Sequence, residues 1–160
     1  MTLNCAIIDD EPLALEMMSD YVQKTPFLTL TGAYNSAVQA IKTIRENPVD
    51  LLFLDIQMPE LSGLEFAKVL PKRTKVVFTT AFPQYAVEGY EVEAFAYILK
   101  PISYEAFLKV AKRAYDWFSQ SEKAKNYAKD RFIFVKSDYK LVRIDLDDIL
   151  FIEGLKDYVR

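Results

Sequence analysis

The chain contains no histidine. That excludes imidazole metal ligands, histidine general bases and Ser-His-Asp chemistry from its own side chains. A single cysteine, Cys5, excludes a disulfide scaffold and reads as a buried strand residue. No segment approaches the about 18 uninterrupted apolar residues of a membrane span. The start, Met1-Thr2-Leu3-Asn4, lacks the basic region and apolar stretch of a signal peptide. A cytoplasmic location with no membrane partner is therefore expected. Excess basic charge is missing too: 20 lysines and arginines face 23 aspartates and glutamates, a net charge of −3, so the whole chain is not a basic nucleic-acid binder. What is present is globular. The chain is 51% apolar and 27% charged over 160 residues, which excludes disorder and allows one full domain with room for part of another.

Short apolar runs at Leu3–Ile8, Phe27–Leu30, Val49–Leu54, Val76–Phe78 and Phe95–Leu99 are bounded by polar or turn residues. They read as strands of a parallel sheet buried on both faces. Helical patterns lie between them. Leu13, Met17, Met18, Tyr21 and Val22 share a face, as do Val38, Ile41 and Ile44. Leu64, Ala67 and Val69-Leu70 suggest a third helix, and Tyr85 to Tyr90 a short fourth. Phe107, Val110, Ala111, Ala114 and Phe118 form the stripe of a fifth. Strands alternating with helices imply right-handed βαβ units over residues 1 to about 120.

Carboxylates cluster where the first strand ends, at Asp9, Asp10 and Glu11, followed by Pro12. Alone, a helix start with Asp10 as N-cap and Pro12 as an early helical residue accounts for them. Asp55 ends the third strand, however, and parallel strands bring their carboxyl ends to one crevice. Asp9, Asp10 and Asp55 should converge there and repel one another unless a cation joins them. Mg²⁺, which takes oxygen ligands and often phosphate, suits such a set. Thr79-Thr80-Ala81 and Lys100-Pro101 follow the next two strands. A lysine at a buried strand end needs an anionic partner. The Thr80 hydroxyl can donate to a phosphoryl oxygen, and Ala81 leaves access.

The stretches Ile7-Ile8-Asp9-Asp10-Glu11, Phe53-Leu54-Asp55-Ile56-Gln57-Met58-Pro59, Gly63, Thr79-Thr80-Ala81 and Ala96-Tyr97-Ile98-Leu99-Lys100-Pro101 together resemble the receiver domain of two-component response regulators. The resemblance covers roughly residues 3–120. It implies a flavodoxin-like, doubly wound α/β fold with a five-stranded parallel sheet of order 2-1-3-4-5. It also implies a phosphoacceptor that catalyses its own phosphotransfer and dephosphorylation rather than an enzyme. Asp55 would take a phosphoryl group from a sensor histidine kinase, which supplies the histidine. Asp9, Asp10, Asp55 and the Gln57 backbone carbonyl would hold Mg²⁺, and Lys100 would pair with phosphoryl oxygens. The Lys100–Pro101 bond would be cis. Thr80 and Tyr97 would form a switch, the ring of Tyr97 moving as the Thr80 hydroxyl turns inward. Phe95 is the competing aromatic. The fourth helix, fifth strand and fifth helix would form a homodimer face. Ala96, Pro83 and Gln84 depart from residues common in relatives, and Gln57 and Phe82 flank the site where hydrolytic water enters.

Residues 120–130 lose apolar periodicity, and a linker is expected over 123–130, separating a receiver of 1–122 from a segment of 131–160. Phe132–Val135, a turn at Ser137-Asp138 and the alternating Leu141–Leu146 read as a hairpin. Ile149–Ile152 is a third candidate strand. Ile149–Gly154 with Asp157-Tyr158-Val159 resembles the opening of a LytTR-type DNA-binding domain, and Tyr85–Val92 resembles receivers of that subclass. Residues 131–160 would be a short all-β fragment of it, balanced in charge. DNA is then a partner of a full-length protein but not of this chain. The alternatives are a stand-alone receiver acting in phosphorelay or protein binding, and an aspartyl-phosphate hydrolase, which Gln57 disfavours because a second acid is usual two residues after that nucleophile.

Overall fold

The computed structural model describes residues 1–88, 93–129, 132–137, 140–151, 154–155 and 158–159. Two compact units divide the chain, Met1–Trp117 and Phe118–Arg160.

The first unit is an alternating α/β fold. Its strands are β1 (Leu3–Ile8), β2 (Leu28–Tyr34), β3 (Leu51–Asp55), β4 (Lys75–Thr80) and β5 (Ala96–Leu99). Helices α1 (Pro12–Gln23), α2 (Ala37–Glu46), α3 (Gly63–Lys68), α4 (Tyr85–Glu88) and α5 (Tyr104–Lys129) alternate with them. All strand pairs are parallel, in the order β2-β1-β3-β4-β5. This is the flavodoxin-like topology expected from the sequence. In β3 every residue is buried, and β1 is buried except for Asn4, as a sheet covered on both faces requires. On one face Ala6, Ile8, Leu52, Leu54 and Phe78 pack with Ala40, Ile44 and Phe66 of α2 and α3. On the other, Phe53 stacks on Phe107 of α5 at 4.7 Å, and Tyr21 of α1 lies 5.5 Å from the same ring. Alternate residues of a strand point to opposite faces, so one short run fills both cores.

Several boundaries differ from expectation. β2 extends four residues beyond Leu30, because its outer half alternates half-buried and exposed residues instead of being uniformly apolar. Thr31 is held there by its hydroxyl donating to the Cys5 carbonyl at 3.1 Å. β4 runs on through Thr79 and Thr80, both buried. Helix α1 begins at Pro12 with Glu11, not Asp10, in the cap position. Asp9 Oδ1 accepts from the Glu11 N–H at 2.9 Å, so the neighbouring carboxylate does the capping work. Gly89 and Tyr90 of the expected fourth helix lie outside the described residues.

The second unit holds the end of α5 and an antiparallel hairpin of β6 (Phe132–Ser137) and β7 (Lys140–Asp145). A 3₁₀ turn at Leu146–Asp148 follows, then the two-residue strands β8 (Gly154–Leu155) and β9 (Tyr158–Val159). Residues 123–129, expected as linker, continue α5. Five of these seven residues are lysine or alanine, strong helix formers, and neither Gly nor Pro interrupts residues 104–129. Ile149–Phe151 form no strand, and Ile152 lies outside the described residues, as do Asp130 and Asp138. Among the described residues, no helix is long and apolar enough to cross a membrane.

Candidate functional site

The carboxyl ends of β1 and β3 lie side by side, with Ile8 paired to Leu54. Asp9 and Asp10 directly follow β1 and Asp55 ends β3, so the three acids meet. Carboxylate oxygens of Asp9, Asp10 and Asp55 lie within 4.8 Å of one another. Asp9 and Asp55 are 2% and 4% exposed, which makes mutual repulsion costly. Lys100, just past β5, answers part of it. Its Nζ is 2.9 Å from Asp9 Oδ2 and 3.5 Å from Asp55 Oδ1. The Lys100 N–H also bonds the Thr80 carbonyl at 2.8 Å, and the Lys100–Pro101 peptide bond is cis.

The protonation balance follows from this crowding. Burial, then the charge of Asp9, pushes Asp55 from its ordinary 3.8 up to about 7, against the opposing pull of Lys100. Burial disfavours the Lys100 ammonium, but the hydrogen bond to Asp9 and the charges of Asp55 and Asp9 outweigh it and hold its pKa above 10.5. Three acids against one lysine leave excess negative charge in a crevice of hard oxygen donors. That donor set fits Mg²⁺, with Asp9, Asp10 and Asp55 as its holders.

Thr80 ends β4, one residue past the Asp55–Thr79 pair. Its Oγ1 accepts from the Phe82 N–H at 3.1 Å, leaving the hydroxyl proton free to donate elsewhere. Tyr97 sits on β5 opposite Phe78, their rings stacked at 5.3 Å. Its buried hydroxyl has no hydrogen-bond partner, and burial raises its pKa. Gln57 stands exposed at the rim, two residues beyond Asp55, with Nε2 3.5 Å from Tyr85 Oη. The alternative aromatic Phe95 precedes β5 and has the Arg113 guanidinium over its ring at 4.4 Å.

Two further supports hold the backbone behind Asp55. Gly63 opens α3 against the backbone after β3: its N–H bonds the Ile56 carbonyl at 2.9 Å, and a Cβ there would meet the Asp55 carbonyl oxygen at 2.2 Å. Ser62 and Glu65 then cap that helix reciprocally, Ser62 Oγ accepting from the Glu65 N–H and Glu65 Oε2 from the Ser62 N–H. The Ser-x-x-Glu spacing signals the cap in sequence; only the fold shows what Gly63 approaches.

Residues 5–112 match the family model described as the response regulator receiver domain. A response regulatory protein of Shewanella oneidensis is 39% identical over 113 residues, covering 69% of this chain and 48% of that protein. The transcriptional regulatory protein BtsR of Salmonella typhi is 35% identical over 153 residues, covering 92% of this chain and 64% of that protein. The chain thus spans about half to two thirds of the length of these relatives. Among solved structures, the response regulatory domain of mrkE from Klebsiella pneumoniae superposes with a TM-score of 0.68 at 30% identity, over 73% of this chain and 98% of that domain.

Proposed function

The chain belongs to the response regulator receiver family of two-component systems, and from that premise we propose that Asp55 is its phosphoacceptor, loaded by a sensor histidine kinase. The observation that carries this reading is the Asp55 carboxylate at a strand end, grouped with Asp9 and Asp10 and 3.5 Å from the Lys100 ammonium. In the transfer a carboxylate oxygen of Asp55 attacks phosphorus. The new P–O bond forms as the P–N bond to the kinase histidine breaks, and the imidazole leaves with the bonding electron pair. Asp9, Asp10 and Asp55, with the Gln57 backbone carbonyl, would hold Mg²⁺, whose role is to neutralise charge on the transferring group. Lys100 keeps its proton and meets phosphoryl oxygens. Thr80 donates its free hydroxyl proton to one of them.

That donation, with the ring of Tyr97, constitutes the switch. A tyrosine with an unpartnered buried hydroxyl is poorly satisfied where it is, so a second position for the ring is energetically accessible. The readout is a change on the face formed by α4, β5 and α5, where a homodimer would assemble. Residues 131–160 open a LytTR-type output domain, a reading supported by the BtsR match, which extends well beyond the receiver. DNA contact then belongs to a longer protein, and transcriptional regulation is its output.

The test is labelling with a small acyl phosphate and Mg²⁺. Wild type should take up one phosphoryl group, lost on chelation of the metal beforehand, and Asp55→Asn should take none. Unlabelled wild type, or equal labelling of Asp55→Asn, would overturn the reading.

A further inference from the structure

Helix α1 touches both sides of the acid–lysine pairing. It starts directly after Asp9 and Asp10, and Asp9 Oδ1 holds its first turn through the Glu11 N–H. Towards its other end, Tyr21 donates its hydroxyl to the Ile102 carbonyl at 3.0 Å. Ile102 is buried and stands two residues past Lys100. The helix that follows the acids therefore also grips the segment that carries the lysine.

That segment, residues 100–103, is held at three points. The Lys100 N–H bonds the Thr80 carbonyl at 2.8 Å. Ser103 Oγ accepts from the Ala106 N–H at 3.1 Å and so caps the start of α5. Tyr21 supplies the hold between these two. Its own ring is packed, with the ring of Tyr104 at 5.3 Å and that of Phe107 at 5.5 Å. A phenol set against two rings has little freedom, so its hydroxyl is a fixed donor. Lys100, by contrast, carries its ammonium on a flexible four-carbon stem, and Nζ must stay 2.9 Å from Asp9 Oδ2 and 3.5 Å from Asp55 Oδ1. Where the stem starts decides what its tip reaches, and a shift of about 1 Å in a reacting group can cost about 100-fold in rate.

We propose that Tyr21 is a positioning residue: its hydroxyl sets the place of residues 100–103 and, through them, of the Lys100 ammonium during phosphoryl transfer. The inference rests on the reading of Asp55 as phosphoacceptor and of Lys100 as the partner of phosphoryl oxygens. With acetyl phosphate as donor, a carboxylate oxygen of Asp55 forms the new P–O bond. The P–O bond to acetate breaks, and acetate leaves with the electron pair. Lys100 meets the charge on the transferring oxygens. Removing the phenol oxygen of Tyr21 slows this step and leaves in place the acids that would hold Mg²⁺.

The experiment measures the rate at which acetyl phosphate labels the full chain across a Mg²⁺ titration, with thermal unfolding, in wild type, Tyr21→Phe and Tyr104→Phe. Tyr104→Phe is the control. Its hydroxyl belongs to the same aromatic cluster but contacts Thr25 Oγ1 at 3.3 Å and the Lys24 carbonyl at 3.4 Å, neither of them in residues 100–103. Tyr21→Phe keeps the ring and should label about five-fold more slowly at saturating Mg²⁺, the worth of one hydrogen bond. Its half-saturating Mg²⁺ concentration should be unchanged, and Tyr104→Phe should label at the wild-type rate. An unchanged rate in Tyr21→Phe overturns the inference alone. So does an equal slowing in Tyr104→Phe, which would mean a general loosening of the cluster. So does a slowing that matches the unfolded fraction of Tyr21→Phe at the assay temperature, or one that higher Mg²⁺ abolishes, which would place the fault at the acids. Wild type that takes no label overturns the reading of Asp55 and the inference with it.

Discussion

The unit Met1–Trp117 and the hairpin that follows it use similar side chains to opposite effect. Among the described residues, every buried hydrophobic lies between Leu3 and Ala114. The hairpin instead exposes Phe134 at 62%, Leu141 at 74% and Val142 at 44%. Its pairs Ile133–Ile144 and Val135–Val142 put four aliphatic side chains on one face, the pattern of a sheet made to be covered. A two-stranded hairpin is marginal by itself. The lesson is that patterning makes strands in both units, but only crossover helices on both faces turn strands into a core. The site depends on that core, because a buried carboxylate cluster needs walls that do not move.

The sharpest way to break this contrast is to remove one large ring from each unit. Phe53→Ala deletes a fully buried ring stacked on Phe107 and should cost about 3–5 kcal/mol in urea unfolding. Phe134→Ala should change stability by no more than about 0.5 kcal/mol. Equal losses would mean that the hairpin has a core of its own.

A smaller effect is expected from Gly63→Ala, at about 1–3 kcal/mol, because the added methyl meets the Asp55 carbonyl oxygen and α3 must shift. Phosphoryl uptake should fall with it, since the displaced backbone carries Asp55. Unchanged stability and uptake would show that α3 is loosely seated.

Smallest is the pH response of the metal-free protein. Asp55 has a raised pKa of about 7 in the folded state against 3.8 ordinarily, so between those values the folded chain binds the extra proton. Stability contributed by that proton is complete below about pH 4 and is lost as pH rises through about 7. Discounted for residual solvent contact, the loss is about 1–2 kcal/mol. Asp55→Asn should remove this slope and be the more stable protein at pH 8, measured by urea titration without metal. A wild-type curve flat from pH 5 to 8 would contradict it.

Much of this was legible before any coordinates. The largely apolar β1 and β3 announce themselves, and the acids at their carboxyl ends meet because parallel strands end together. β2 reads shorter in sequence than it is, because its threonines break the apolar run and an edge strand alternates where a central one does not. The end of α5 carries no apolar stripe in sequence, only residues that favour helix. Asp9 capping Glu11, the close approach of Gly63 and the orphaned Tyr97 hydroxyl depend on how the backbone turns, to which residue spacing is blind. Ile149–Phe151 are apolar enough for a strand, yet pair with nothing among the described residues; apolar character does not supply a partner.

The most direct test is to locate the phosphoryl group chemically. The chain, labelled with acetyl phosphate and Mg²⁺, is reduced with borohydride, which converts an aspartyl phosphate to homoserine, and its peptides are sequenced by mass spectrometry. Homoserine at position 55 alone is the expected result. Homoserine at position 9 or 10, or at none of the three, would contradict the assignment of Asp55 as phosphoacceptor.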